Sequence, residues 1–246
     1  MKALSYEEAA ALAHAGATIL HPETIEPAKR LRIPVVIRHT FRPAGEGTKI
    51  GFLPEACPNP VRSIACKLNV TVLEIRALPS EAISENSLRE IQRFCSQDKT
   101  ATLLGMSPDA IHLVLANNGA RKETDFALDG CTQVHVRSNQ VLITLVGHQL
   151  QRSDVLARLG PALAQKAGEV LPHTGEPHLV RIVIGQEHFA AFTEILQRTF
   201  FTNLDAAFFA PVDSPSQQEQ MAPNSETFTF HGGRRLLPTN SSLRLA

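Results

Sequence analysis

The chain has 246 residues, with 24 basic and 24 acidic side chains, so its net charge is zero. This balance excludes a basic surface for nucleic acid or an anionic membrane, and the absence of tryptophan argues against base stacking. No apolar run reaches the roughly 18 residues of a membrane span, and no signal peptide opens the chain. We therefore predict a cytoplasmic protein whose partners are small molecules or proteins.

The first predicted element is an amphipathic helix over residues 5–15. Ser5 and Glu8 have the spacing of a capping box, in which each side chain satisfies a free backbone N–H of the other residue. Gly16 follows as a left-handed stop, because glycine adopts positive φ without strain.

A second helix and a strand are predicted next. Pro22 can open a helix through about Leu31, since a first helical residue needs no N–H. Residues 33–37 are apolar and predict a buried strand. Residues 42–60 are rich in proline and glycine and predict a linker.

From residue 62 onward, short strands alternate with helices. Residues 70–138, named module 1, predict the order β-α-β-β-α-β. Its elements are strand 70–78, a helix capped by Ser84, strands 100–106 and 110–117 around the turn 107–109, helix 120–129 and strand 132–138.

A second copy follows but lacks its sixth element. Strand 140–148, a helix from Ser153, two strands within 169–185 and helix 186–201 give β-α-β-β-α. The orphan strand 62–69 is the unused element, so we predict that it completes the second sheet. Module 2 is therefore residues 62–69 plus 139–202. The predicted fold class is α/β (α+β) with two interleaved modules.

The tail, residues 203–246, is polar and rich in proline and serine, which predicts disorder. Residues 230–238 could be a short docking motif or part of a solvated tail.

Motifs for a self-contained active site are absent. The chain has no G-x-S-x-G, H-E-x-x-H or G-x-x-x-x-G-K-[ST] motif, and its four cysteines form no C-x-x-C pair. We predict no catalytic residue and no metal site. His112 and His135 lie in strands, either exposed on a sheet face or satisfied by a hydrogen bond.

Architecture is the remaining indication of function. A ligand carboxylate can bind where a loop meets the start of a helix, because the free N–H groups there favour anions. Paired modules of this kind also suit dimerisation and allosteric coupling.

Ser5–Ile50 resembles the last section of the aspartate kinase catalytic domain. That family has a Ser-Tyr-x-Glu-Ala helix, then Gly-Ala-Lys-Val-Leu-His-Pro, a Pro-Ala helix, an Ile-Pro strand and a Gly-Thr exit, at the spacing found here. Aspartate kinases continue into two intertwined ACT modules. The resemblance covers about 1–202 and implies an amino-acid kinase remnant at 1–50, a linker at 51–61, and ACT-like βαββαβ modules.

The resemblance also implies what the catalytic section should contain. The family's Lys-Phe-Gly-Gly-Thr and Thr-Asp-x-Arg motifs would lie before Met1, so we expect no catalysis by this chain alone. The remnant of the ATP site corresponds to Thr18 and Ile19, and Thr18 replaces a lysine. ATP and Mg are implied only for an intact family member, and no cofactor is expected in this chain.

Effector residues are carried over from lysine-responsive members. The matching positions are Ser80, Thr102, Ser107 and Asp109. Thr102 stands where the family has an aspartate that binds an effector's ammonium, and Asp109 stands one place after the family's acidic residue. These departures disfavour lysine, so a different amino acid, or no effector at all, is expected.

The leading hypothesis is an aspartate kinase-like protein (ATP-dependent phosphorylation of L-aspartate in lysine, threonine and methionine biosynthesis) represented by its regulatory ACT portion. The alternatives are a free-standing amino-acid-sensing or protein-interaction ACT module, and a truncated partial enzyme. The implied partners are a second copy of the chain, bound through the ACT modules, or a kinase subunit, together with an amino-acid effector.

Overall fold

The computed structural model describes residues 1–15, 22–38, 40–41, 44–52, 58–78, 83–97, 101–107, 109–116, 132–148, 150–166, 168–171, 178–209 and 227–230. These residues form a small N-terminal sheet and a larger sheet shared by the two modules. No helix among them is long and apolar enough to cross a membrane.

The N-terminal unit, residues 1–52, packs two helices against three short strands. Its sheet has the order β1-β3-β2, and β1 is parallel to β3. The elements are β1 (Ala3–Ser5), α1 (Tyr6–His14), α2 (Pro22–Arg30), β2 (Val35–Ile37) and β3 (Thr48–Gly51).

The predicted capping box at the start of α1 is present. Ser5 Oγ accepts the Glu8 N–H at 3.1 Å, and Glu8 Oε2 accepts the Ser5 N–H at 2.8 Å. The second helix begins at Pro22 as predicted. The predicted stop at Gly16 lies outside the described residues.

The linker predicted over residues 42–60 is wrong at its centre, where β3 forms. β3 pairs with both β1 and β2, and Ile50 is buried between them. A strand of four residues shows no clear period in sequence, because its conformation is fixed by pairing with distant strands. The predicted buried strand 33–37 begins only at Val35 and is not buried, since Val36 is 48% exposed.

The two modules share one sheet with the path β5-β6-β4-β7-β9-β8, and β10 is added beside β4. Helices cover the opposite ends of this path. The elements are β4 (Ser63–Ala77), α3 (Glu85–Gln97), β5 (Ala101–Met106), β6 (Ala110–Ala116), β7 (Thr132–Val146), α4 (Arg152–Gln165), β8 (Glu169–Val170), β9 (Leu179–Gly185), α5 (Phe189–Phe200) and β10 (Thr227–Phe230).

Strands β4 and β7 interleave the modules. Each is a single 15-residue strand where the sequence predicted two, and each passes through a residue with positive φ, Asn69 at 52° and Asn139 at 54°. The first half of β4 pairs with the second half of β7, as in Ile64 with Leu145. The second half of β4 pairs with the first half of β7. The predicted interleaved βαββαβ fold is confirmed, while the exact domain boundaries stay a prediction.

Each module packs helices on one face of its sheet. In module 1, Ile91 of α3 lies against Leu73 and Leu113. In module 2, Leu159 of α4 and Phe192 of α5 cover the sheet. Helix α4 begins at Arg152 with Gln151 as N-cap, so the predicted start at Ser153 is wrong by one residue. The predicted helix 120–129 lies outside the described residues.

The prediction of disorder from residue 203 is wrong for the residues described there. Phe208 and Phe209 are buried in the core of module 2, and residues 227–230 form β10. Two adjacent phenylalanines in the short segment between Asp205 and Pro211 show no helix or strand period, yet burying each aromatic ring still contributes substantially to stability. The Lys2 N–H donates to Phe208 O at 2.7 Å, which ties this segment to the N-terminal unit.

A buried ion pair joins the N-terminal unit to module 2. Arg62 Nη1 donates to Glu8 Oε2 at 2.9 Å, and both side chains are at least 98% buried. The Arg62 guanidinium also lies over the Phe208 ring, 4.6 Å from its centroid. Around this pair, Leu4, Tyr6 and Ile50 pack against residues of the module 2 sheet.

Removing one partner of this pair should destabilise the protein strongly. We expect Arg62→Met to lower the free energy of unfolding by about 3–5 kcal/mol, because Glu8 is left charged and unpaired in the interior. Adding Glu8→Leu should recover part of this loss, although the capping box is then lost at about 1 kcal/mol. Urea denaturation measures all three proteins.

Lys29→Met is the matched control, since it breaks the more exposed Lys29–Glu7 pair. Such pairs contribute about 0–1 kcal/mol. Equal effects of Lys29→Met and Arg62→Met would contradict the role given to the buried pair.

Candidate functional site

The turn between β5 and β6 brings two predicted effector residues together. Ser107 Oγ donates to Asp109 Oδ1 at 2.8 Å and accepts the Ala110 N–H at 3.1 Å. The Ser107 N–H donates to Ala110 O at 2.8 Å, which closes the turn. Asp109 is exposed, so its carboxylate can accept hydrogen bonds from a ligand.

This turn lies against the end of β4. The Ala77 N–H donates to Asp109 O at 2.9 Å. The hydrogen bond from Ser107, followed by a backbone hydrogen bond, lowers the pKa of Asp109, with smaller contributions from Arg76 and His112. The site is thus an ionised carboxylate beside a serine hydroxyl. The half-exposed guanidinium of Arg76 lies near the end of the neighbouring strand, β4.

The other predicted site residues lie apart from this turn. Thr102 is exposed at the start of β5 and is paired with Val114. It is five residues before Ser107, about 16 Å along an extended strand. The turn therefore contains Ser107 and Asp109 but not Thr102. Ser80, Thr18 and Ile19 lie outside the described residues, so their roles stay predictions.

The start of α3 is capped as predicted. The Ser87 N–H donates to Ser84 Oγ at 3.1 Å, and the two hydroxyls are 2.9 Å apart. Ser84 thus satisfies one of the free N–H groups at this helix start.

A second candidate region lies where the helix-free faces of the two module sheets meet. It is named here the inter-module seam. Its apolar centre joins Val72 and Leu104 of module 1 to Leu171 and Val183 of module 2. Arg137 Nη2 of β7 donates to Glu169 Oε2 of β8 at 2.8 Å, so an ion pair crosses between the modules.

His112 is a buried titratable group of the seam. It is 3% exposed and lies opposite Glu74 of β4, while His135 lies opposite Glu74 on the other side and is exposed. His112 Nδ1 has no hydrogen-bond partner among the described residues. Sequence reasoning left the two histidines equivalent, because the strand period gives a face but not what covers it.

Burial lowers the pKa of His112 from its usual value of 6.5. The carboxylates of Glu169 and Glu74 oppose this shift, whereas Arg137 and Arg76 add to it. The imidazole is therefore held neutral where an exposed histidine would already take up a proton.

No group of three His, Cys, Asp or Glu side chains in the described part of the chain could hold a metal ion.

The amino-acid sequence of the chain is similar to those of several known proteins. No protein-family model matches the chain. Aspartokinase 1, chloroplastic, of Arabidopsis thaliana is 26% identical over 220 residues, covering 82% of this chain and 37% of that protein. Lysine-sensitive aspartokinase 3 of Escherichia coli strain K12 is 27% identical over 159 residues, covering 61% of this chain and 35% of that protein. The chain thus spans about a third of the length of these relatives.

Among solved structures, E. coli aspartokinase III in complex with aspartate and ADP superposes with a TM-score of 0.62 at 22% identity, covering 82% of this chain and 47% of that chain. The fold therefore defines a protein with tandem, interleaved ACT-like modules. Within that class, the resemblance to the C-terminal, regulatory region of the aspartokinases is confirmed over most of the chain.

Because His112 is held neutral in the folded state, we predict that the free energy of unfolding depends on pH. Since the pKa of His112 is lower in the folded state, the unfolded chain binds more protons once the pH falls below about 6.5. The free energy of unfolding should therefore fall as the pH drops below that value, by at most about 1.4 kcal/mol per pH unit. Urea denaturation between pH 5 and 8 measures this slope.

His112→Gln should flatten that pH dependence, whereas His135→Gln, which alters an exposed imidazole on the other side of Glu74, should leave it unchanged. An identical slope in wild type and His112→Gln would show that His112 does not carry the effect.

Proposed function

We propose that this chain is the regulatory region of an aspartokinase-like protein of the cytoplasm, and that its modules bind an amino-acid effector. The reaction it serves is the ATP-dependent phosphorylation of L-aspartate. Support comes from the aspartokinase relatives, one of which is named as lysine-sensitive and has a solved structure in complex with lysine and aspartate. The identity of the effector for this chain is left to experiment.

The buried Arg62–Glu8 pair is the observation that carries this proposal. β4 runs through both modules, and Arg62 immediately precedes it. Arg62 is held by Glu8 of the N-terminal unit at 2.9 Å. A shift of one module against the other is therefore transmitted along β4 to α1, which is the physical form of coupling between two sites.

The N-terminal unit also offers a surface to which such coupling can be passed. Five large hydrophobic side chains between residues 31 and 52 are about half exposed or more, and we propose that they contact further protein. They are Leu31, Ile33, Val36, Phe41 and Phe52.

The Ser107–Asp109 turn is the proposed effector contact. The ionised carboxylate of Asp109 can accept hydrogen bonds from the ammonium of an amino acid. Arg76 lies close enough to this carboxylate to help to lower its pKa. The hydroxyl of Ser107 orients the carboxylate, so the two residues act together.

A thermal-shift screen of the purified chain against the twenty amino acids tests the proposal. A ligand at 100 times its Kd stabilises the folded state by about 2.7 kcal/mol. For a protein of this size the Tm should then rise by roughly 5–10 °C. Asp109→Asn should reduce the shift, because the carboxylate that accepts the ammonium is lost.

Glu90→Gln is the matched control, since Glu90 is an exposed acid of α3 away from the turn. A shift that survives Asp109→Asn places the effector elsewhere. No shift with any amino acid supports the alternative, a protein-interaction ACT module without an effector.

We also propose a homodimer through the edge strand β5. Leu103 and Met106 of this strand are 45% and 50% exposed. Leu103→Lys should weaken self-association at least about tenfold in sedimentation velocity, since burying one leucine contributes about 1.5–3 kcal/mol. Leu156→Lys, at an exposed position of α4, is the control, and a wild type that is monomeric at all micromolar concentrations contradicts the dimer.

A further inference from the structure

The outer edge of β4 is shared by two strands. Residues 70–76 of β4 pair with β6, and residues 64–67 pair with β10. β7 occupies the whole opposite edge. Without β10, the first half of β4 would therefore present an open row of backbone N–H and C=O groups.

This edge has no charged residue of its own until Lys67. Ser63, Ile64, Ala65 and Cys66 are all buried and uncharged, and edges of this composition pair readily with another strand. The equivalent edge of module 1 is the outer edge of the first half of β7, on the side away from β4. This half of β7 carries His135 and Arg137, and its outer edge has no strand partner among the described residues. β10 thus covers the unprotected one of two matched edges.

The segment that forms β10 suits this role. Thr-Phe-Thr-Phe alternates β-branched and aromatic residues, which favour strands, within a tail that is otherwise rich in proline, serine and glutamine. It runs antiparallel to β4, with Thr227 opposite Lys67 and Phe230 opposite Ile64. The remaining edge strand of module 2, β8, has only two residues and is protected by its shortness.

We propose that Ser63–Lys67 is a strand-acceptor site and that Thr227–Phe230 of the same chain is its built-in ligand. The site takes an extended peptide through backbone hydrogen bonds, and the tail blocks it against other strands. Seventeen residues, 210–226, join Phe209 to Thr227. A short linker gives an effective concentration on the order of 1 mM, which excludes competing peptides.

Peptide binding tests this directly. The probe is a fluorescent peptide of residues 223–233, titrated against the full chain and against the double variant Phe228→Pro/Thr229→Pro. Proline cannot donate to a strand ladder, and two adjacent prolines remove the donor on whichever side faces β4. We expect the variant to bind the peptide at least tenfold more tightly than wild type.

Two controls accompany the titration. Gln218→Pro introduces proline into the tail outside β10 and should behave as wild type. A peptide carrying the same two prolines should bind neither protein. Circular dichroism verifies that the double variant is folded.

Two outcomes of the titration would contradict the proposal. Equal binding to wild type and variant would show that the tail does not occupy the edge, and no binding to the folded variant would show that the edge accepts no strand.

A measurement on wild type alone keeps the proposal testable if the variant does not fold. Amide hydrogen exchange should be slow, at every protein concentration, for those of residues 227–230 whose N–H groups face β4, because the strand binds its own chain. Lack of protection at these amides would overturn the proposal. Protection that appears only at high concentration would assign the strand to a second copy and overturn it equally.

Discussion

The buried ion pair between Arg62 and Glu8 is the contact at which three segments of the chain meet, and each segment must close around it. Glu8 caps α1, Arg62 leads into the longest strand of the modules, and Phe208 covers the guanidinium from the end of module 2. Gly147 belongs to the same constraint, since a Cβ there would lie 1.8 Å from Pro60 O and push the backbone before Arg62 away. A buried charge pair is weak evidence of stability but fixes one arrangement among several.

The interleaved strands extend this constraint through the modules. β4 and β7 are bonded along both halves, so each strand supports both sheets. Asn69 and Asn139 take the left-handed conformation in the middle of these strands, and the helix-free faces of the two modules meet at the seam. The proposed effector turn, Ser107–Asp109, contacts β4 through the hydrogen bond from the Ala77 N–H to Asp109 O, at the opposite end of that strand from Arg62. The proposed effector turn and the N-terminal unit are thus joined by one continuous strand.

Much of this fold follows from sequence because its elements have local signals. The capping box, Pro22 and the module alternation were sufficient for the main helices, and the missing sixth element gave the interleaving. β3 and the buried Phe208 and Phe209 could not be predicted in this way, since short segments take their structure from distant neighbours. The site residues stay a prediction. Residues carried over from a motif give Ser107 and Asp109 together, but the length of β5 separates Thr102 from them.

The crossing of β4 and β7 also bears on how such molecules can be recombined. Val70 and Gln140 face each other across the ladder, so the points where the chain enters and leaves module 1 are adjacent. Module 1 is therefore an insertion whose two ends are adjacent, so a homologous module could replace it through two neighbouring peptide connections. Module 2 has no such freedom, because its outer strand comes before module 1 and the rest comes after it. Exchange between relatives should preserve module 2 with the N-terminal unit and leave module 1 free to diverge in effector preference.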